Sequence, residues 1–319
     1  MKVVVTGARG FLGARVADFL LGPNCPFPVT ELVLTGSGLP AKRDDPRVRL
    51  VAVDLSVPEA AEKLITEDTD VIFHMAAVVS GHAEAEFEYG MKVNFESTRA
   101  LLEAARQRVP KIKFVYTSAV AVFGGNLPPI VDDLTAVMPQ NSYGTAKAMS
   151  ELLVNDYSRR GFVDGRILRV PTISVRPGAP NRAMTSFASG IIREPLNGVP
   201  AICPVPPEQE LWLSSPSTVV KNIVHAAVLP TGLLGPWRCV TLPGICISVG
   251  EMVDALRAVA GDKVADLVRF KKDETISRVV ATFPSKFDKE RALQLGFTVD
   301  TNFGDFIEEY IRHDLQPRK

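Results

Sequence analysis

Within the first 13 residues a run of β-branched residues, Val3-Val4-Val5-Thr6, breaks into Gly7, Gly10 and Gly13, and then into Val16, Ala17 and Leu20 at helical spacing. A buried strand that turns so tightly into a helix restricts the chain to a small set of α/β folds. The spacing is G-x-x-G-x-x-G, one residue longer between the first two glycines than the usual dinucleotide fingerprint. Gly7 permits the turn off the strand, Gly10 lets backbone approach a pyrophosphate with no Cβ between, and Gly13 lets the helix pack onto the strand. The helix N-terminus offers N–H groups and partial positive charge to phosphates.

The pattern continues downstream. Segments 31–35, 49–55, 70–77, 113–118 and 166–170 read as strands, and 58–66, 87–108 and 143–160 as helices between them. Such alternation predicts a parallel sheet covered on both faces, with ligands at the carboxyl ends of its strands. Prolines and glycines then crowd residues 171–207, and helical patterns return over 219–229, 249–260 and 288–295. The expected fold is α/β: a Rossmann-type doubly wound parallel sheet over residues 1–173, and a smaller C-terminal substrate-binding lobe over 174–319 from which segments return to the first domain.

Charge narrows the partner. With 36 basic and 36 acidic residues, no whole-molecule field draws nucleic acid or an anionic membrane, so a small molecule is expected. No apolar run reaches the roughly 18 residues of a membrane span, and the first residues already form a strand, so neither anchor nor signal peptide is expected. Cys25, Cys203, Cys239 and Cys246 show no C-x-x-C and no metal-ligand spacing, which points to no metal site and to a reducing cytoplasm.

Tyr143 and Lys147 lie four apart at the start of a helical run, with Asn141 and Ser142 as caps. That spacing puts both on one face, where an ammonium favours the phenolate of a tyrosine whose reference pKa is about 10. The glycine turn, His74-Met75-Ala76-Ala77, Asn94, the segment 116–124, Tyr143 with Lys147, and Arg169-Val170-Pro171-Thr172 occur in the order found in the extended short-chain dehydrogenase/reductase family, which this chain resembles over roughly its first 175 residues.

The resemblance implies that Tyr143 is the general acid/base and that Lys147 holds the nicotinamide ribose and lowers the tyrosine pKa. It implies cofactor contacts from Gly7, Arg9, Gly10, Phe11, Leu12, Gly13, Asp54, Leu55, Met75, Ala76, Ala77, Asn94, Thr117, Pro171, Thr172 and Ile173. It further implies a homodimer through a four-helix face. Segments 186–196 and 211–216 also resemble members that oxidise a four-carbon sugar acid at its 2-hydroxyl. The alternatives are a sugar-nucleotide epimerase or dehydratase that retains its NAD, and a redox sensor that binds dinucleotide without turnover.

Two positions depart from the family pattern. Counting back from Gly124, the usual catalytic hydroxyl falls on Ala119, leaving Ser118, one residue early, or else Thr172 or a water, to substitute. The acid that normally meets the adenosine ribose is replaced by Thr35-Gly36-Ser37, so Arg9 and Ser37 are placed to accept a 2′-phosphate; NAD is expected and NADP is the rival. A sugar acid needs a fixed cation and polar partners. Arg176, Arg182 and Arg193, with Ser80, Asn181, Thr185 and Ser186, are the candidates.

Overall fold

The computed structural model describes residues 1–57, 59–180 and 182–315. The first half runs β1 (Lys2–Thr6), α1 (Phe11–Leu21), β2 (Glu31–Gly36), β3 (Val48–Ala52), α2 (Ala60–Leu64), β4 (Val71–His74), α3 (Ser80–Ala85), α4 (Phe87–Met91), a π-helical stretch (Lys92–Glu96), α5 (Ser97–Arg108), β5 (Lys113–Ala119), α6 (Ser142–Arg159) and β6 (Asp164–Val170). The second half runs β7 (Thr172–Ile173), α7 (Phe187–Leu196), β8 (Ala201–Cys203), β9 (Glu210–Ser214), α8 (Pro216–Val228), β10 (Cys239–Thr241), β11 (Ile245–Ser248), α9 (Val249–Ala260), α10 (Asp262–Ala265), β12 (Val268–Phe270), α11 (Glu274–Val280), α12 (Glu290–Gln294) and α13 (Gly304–His313).

Seven strands form one sheet in the order β3-β2-β1-β4-β5-β6-β10, and every pairing is parallel. Alternation along each strand divides the side chains between two cores. Val3, Val5, Leu32, Leu34 and Phe73 pack against α1 and α8 on one face, while Val4, Val33, Ile72, Phe114 and Tyr116 pack against α2, α5 and α6 on the other. Burying each such side chain stabilises the fold by about 1.5–3 kcal/mol, which is why these strands read as unbroken apolar runs.

A separate core gathers Ile191, Leu211, Leu213, Met252, Val280 and Phe306 from the second half. It covers a three-stranded sheet, β11-β9-β7, beside a two-stranded pair, β12-β8. Pro171 stands between β6 and β7 and has no N–H to continue the ladder, and the chain leaves the large sheet there to pair Thr172 with Leu213.

The structure departs from the sequence reading at several boundaries. β3 ends at Ala52, so Asp54 falls in the following turn, where its carboxylate accepts from the Ser56 N–H at 2.9 Å. The helical pattern 87–108 is interrupted by the π-helical stretch around the buried Asn94. Helices α11 and α13 were not anticipated.

Candidate active site

The strand order reverses between β1 and β4, and the crevice at their carboxyl ends is where an open α/β sheet binds its ligand. Gly7 has φ of 72°, and a Cβ there would lie 2.8 Å from the Ala76 nitrogen, so only glycine lets this turn press against the loop after β4. Thr6 locks that approach. Its hydroxyl accepts from the Met75 and Ala76 N–H groups at 3.1 and 3.2 Å and bonds His74 Nδ1 at 2.8 Å. His74 Nε2 meets the Thr98 hydroxyl at 2.9 Å, and burial pushes the ring down to about 3, so it is a neutral brace below the turn.

A cavity of about 380 Å³ opens beside this turn. Leu12, Met75, Ala77, Thr117, Tyr143, Lys147, Pro171, Thr172 and Ile173 line it, as nine of the residues expected at the cofactor do. Ser80, Arg176 and Thr185 line it from the substrate side. Gly7, Arg9, Gly10, Phe11, Gly13 and Ala76 belong to the adjoining turn and loop.

Asn141 caps α6, accepting from the Gly144 N–H at 2.8 Å, and so fixes the first turn that carries Tyr143. Lys147, one turn on, donates from Nζ to the Thr117 carbonyl at 2.7 Å, and its Nζ lies 5.7 Å from the Tyr143 ring centre. Burial pushes the Tyr143 phenol up to about 12, opposed by Arg176. Burial pulls the Lys147 ammonium down to about 7, opposed by Glu151. Arg176 is half-buried in the same cavity, and among the described residues no carboxylate lies within ion-pair reach of it. Burial, with Arg193 nearby, disfavours its charge. Thus one wall carries a phenol beside an ammonium, and the other a guanidinium with no carboxylate in reach among the described residues.

Several of the expected residues have their side chains engaged or buried within the protein. Ser118 lines the cavity and is 2 % exposed, and its hydroxyl donates to Glu151 at 2.6 Å. Asn94 grips backbone: its amide accepts from the Val78 N–H at 2.8 Å and donates to the Val78 carbonyl at 3.1 Å, which shapes the loop after β4 from beneath. Thr35 is wholly buried with an unpartnered hydroxyl, because β2 extends through Gly36 and both faces of the sheet are covered there. Leu55 packs its side chain in the core.

Arg193 donates to the Arg176 carbonyl and to Glu194, so it supports Arg176 from behind. Arg182 is exposed, and neither it nor Ser186 is among the lining side chains. Asn181 lies outside the described residues. Ser37 and Asp54 are exposed at the far edge, while Arg9 lies across Gly36 and Gly38: a Cβ on Gly36 would be 3.1 Å from Arg9 Cγ. Glu84, Gln140, Val279 and Phe283 also line the cavity and went unread; the last two arrive on and just after α11.

Comparison with known proteins agrees with this geometry. Residues 3–207 match the model of the NAD dependent epimerase/dehydratase family. The chain belongs to that family. Two relatives match over nearly their full length: D-erythronate dehydrogenase of Haemophilus influenzae, 48% identical over 99% of this chain and 100% of the relative, and D-erythronate dehydrogenase of Cupriavidus necator, 50% identical over 98% of each. The solved structure described as a nucleoside-diphosphate-sugar epimerase from Agrobacterium tumefaciens is 40% identical, with a TM-score of 0.93, covering 98% of this chain and 94% of that one.

The family cofactor is NAD, and the glycine turn fits it. No side chain caps Gly10 at the start of α1. A Cβ on Gly10 would meet only the Gly7 carbonyl, so open ground lies before the helix for a pyrophosphate.

Proposed function

We propose that the protein is an NAD-dependent dehydrogenase that oxidises D-erythronate at its 2-hydroxyl to 2-dehydro-D-erythronate. The observation that carries this reading is the Arg176 guanidinium, which has no ion-pair partner among the described residues and lines the cavity that also holds Tyr143. A half-buried cation without a partner is costly, and a substrate carboxylate relieves that cost. With the carboxylate anchored there, the neighbouring carbinol is presented to Tyr143, which takes the hydroxyl proton. Lys147 stabilises the phenolate by charge and keeps its own ammonium oriented through the Thr117 carbonyl. Bound NAD supplies the acceptor for the hydride that leaves the same carbon. Full-length similarity to two D-erythronate dehydrogenases supports the substrate.

A panel of four- and five-carbon aldonates, assayed with NAD and NADP in parallel at 340 nm, tests the reading. D-Erythronate with NAD is expected to give the highest kcat/KM, and no turnover of any aldonate with either cofactor would sink the proposal. The NADP arm matters because Arg9 spans Gly36 and Gly38, in the segment where Thr35-Gly36-Ser37 replaces the family's usual ribose acid.

The epimerase description of the Agrobacterium structure favours a second reading, in which NAD is retained through the cycle. Tightly copurifying NAD, with turnover of a nucleoside-diphosphate sugar, is the result that would support it.

We further propose a homodimer in a reducing cytoplasm. The outer face of the α4, α5 and α6 layer exposes Phe87, Tyr89 and Leu152, which supports an interface there, and four free cysteines accord with that compartment. Light scattering is expected to give twice the 34.6 kDa chain mass, and Leu152→Glu is expected to shift it toward one.

A further inference from the structure

Behind the cavity wall lies a buried polar cluster that the proposed reaction leaves unused. Glu151 follows Tyr143 and Lys147 at the same four-residue interval on α6, so all three share one face of the helix. Its Oε1 accepts from the Ser118 hydroxyl at 2.6 Å and from Arg169 Nε at 3.1 Å, and its Oε2 accepts from an Arg169 terminal nitrogen at 2.8 Å. Ser118, Glu151 and Arg169 are 2, 1 and 0 % exposed. Arg169 is held in turn by the Asp133 carbonyl at 3.2 Å and by the Phe123 ring, 4.7 Å from its guanidinium carbon. Glu151 and Lys147 thus fasten α6 to consecutive residues at the end of β5, one to the Ser118 hydroxyl and the other to the Thr117 carbonyl.

We propose that Glu151 is a positioning residue for the Tyr143–Lys147 pair, its fixed carboxylate, clamped by Arg169 and Ser118, holding Lys147 as the ammonium and α6 in register with the end of β5. This rests on the proposed role of Tyr143 as base. The charge argument follows from what surrounds Lys147. On α6 it faces Tyr143 and Glu151; on β5 the Tyr116 ring, 4.7 Å from Nζ; on β4 the neutral His74. Arg169 on β6 and Cys239 on β10 meet Glu151, and Asp133 meets Arg169, while Arg176 acts on Tyr143 from the far side. Glu151 is the group that opposes burial at Lys147.

The pair has two states after losing one proton: phenolate with ammonium, which is competent, and phenol with amine, which is not. A negative charge one turn beyond Lys147 favours the first. Removing it makes proton loss from the pair easier and directs that loss to Lys147. Glu151→Gln is therefore expected to move the acid limb of the kcat profile about one unit to lower pH while the plateau falls roughly tenfold. Glu151→Asp, which keeps the charge, is expected to keep the wild-type limb. Because a lone Arg169 would strain the single variant, Glu151→Gln/Arg169→Gln is measured beside it; it removes the two opposite charges together, so its limb is expected to move in the same direction but by less.

The second readout needs no turnover. The Lys147 Cε resonance of lysine-labelled protein without nucleotide, assigned with Lys147→Met, is expected to titrate near pH 7 in the wild type, about one unit lower in Glu151→Gln, and between the two in the double variant. A resonance and a limb that stay in place, whatever the fall in kcat, would overturn the proposal and leave Glu151 a structural residue. If the wild type turns over no aldonate but the resonance moves as expected, the dehydrogenase reading fails and the inference about Glu151 and Lys147 stands.

Discussion

Replacing Tyr143 by phenylalanine is expected to lower kcat for D-erythronate oxidation by roughly 10²- to 10⁴-fold, the range for losing a positioned general base, with NAD affinity little changed. The ring fills the same wall of the cavity, and Lys147 keeps its bond to the Thr117 carbonyl, so the cofactor side is undisturbed. Steady-state rates at 340 nm and a nucleotide titration by fluorescence check the two halves separately. Turnover that survives the substitution would remove Tyr143 from the mechanism, and Ala119 shows why the point is sharp. With no hydroxyl at that position and Ser118 bound to Glu151, the cavity wall at the end of β5 offers no substitute base.

Arg176→Met is expected to raise KM for D-erythronate about 100-fold, with a much smaller change in kcat, as for truncating one partner of a buried charge pair at about 2–5 kcal/mol. Methionine keeps the apolar length of the side chain and removes the cation. Because no carboxylate of the described protein pairs with Arg176, its loss strands no internal acid, and the thermal midpoint is expected to hold or rise. An uncharged polyol of the same length is the control: its weak turnover is expected to be indifferent to the substitution. A KM that stays within about twofold for the acid would move the carboxylate elsewhere in the cavity.

The sheet was legible because its strands are buried on both faces. Val3-Val4-Val5 and Val71-Ile72-Phe73 leave no polar position, and a parallel sheet between helix layers is the architecture such runs satisfy. Tyr143 and Lys147 were legible because helical spacing alone puts them on one face. Where the reading failed, the cause was local. Thr35 stands where the family carries its ribose acid, but β2 runs on through Gly36 and both of its faces are covered, so the Thr35 side chain is buried. Ser118 was read as a substitute for Ala119, but its partner, Glu151, is 33 residues away in sequence. Asn94 was assigned to the cofactor, whereas the π-helical stretch turns its amide onto Val78. Glu84 is a charge on a six-residue helix, which in sequence is indistinguishable from a solvated one. Val279 and Phe283 reach the cavity only because the C-terminal half folds back over the crevice, a contact that no local pattern encodes.

The last strand of the large sheet has a consequence for how the chain is made. β6 is complete at Val170, yet its neighbour, Cys239–Thr241, lies some 70 residues further on. While a ribosome synthesises the intervening lobe, β6 stands as an open edge with unpaired amides, the surface on which nascent chains adhere to one another. α8, which seals one face of the sheet with Val219, Ile223 and Val224, emerges in that same interval. The large sheet therefore closes only after nearly half of the substrate lobe has been translated, and the two are made together.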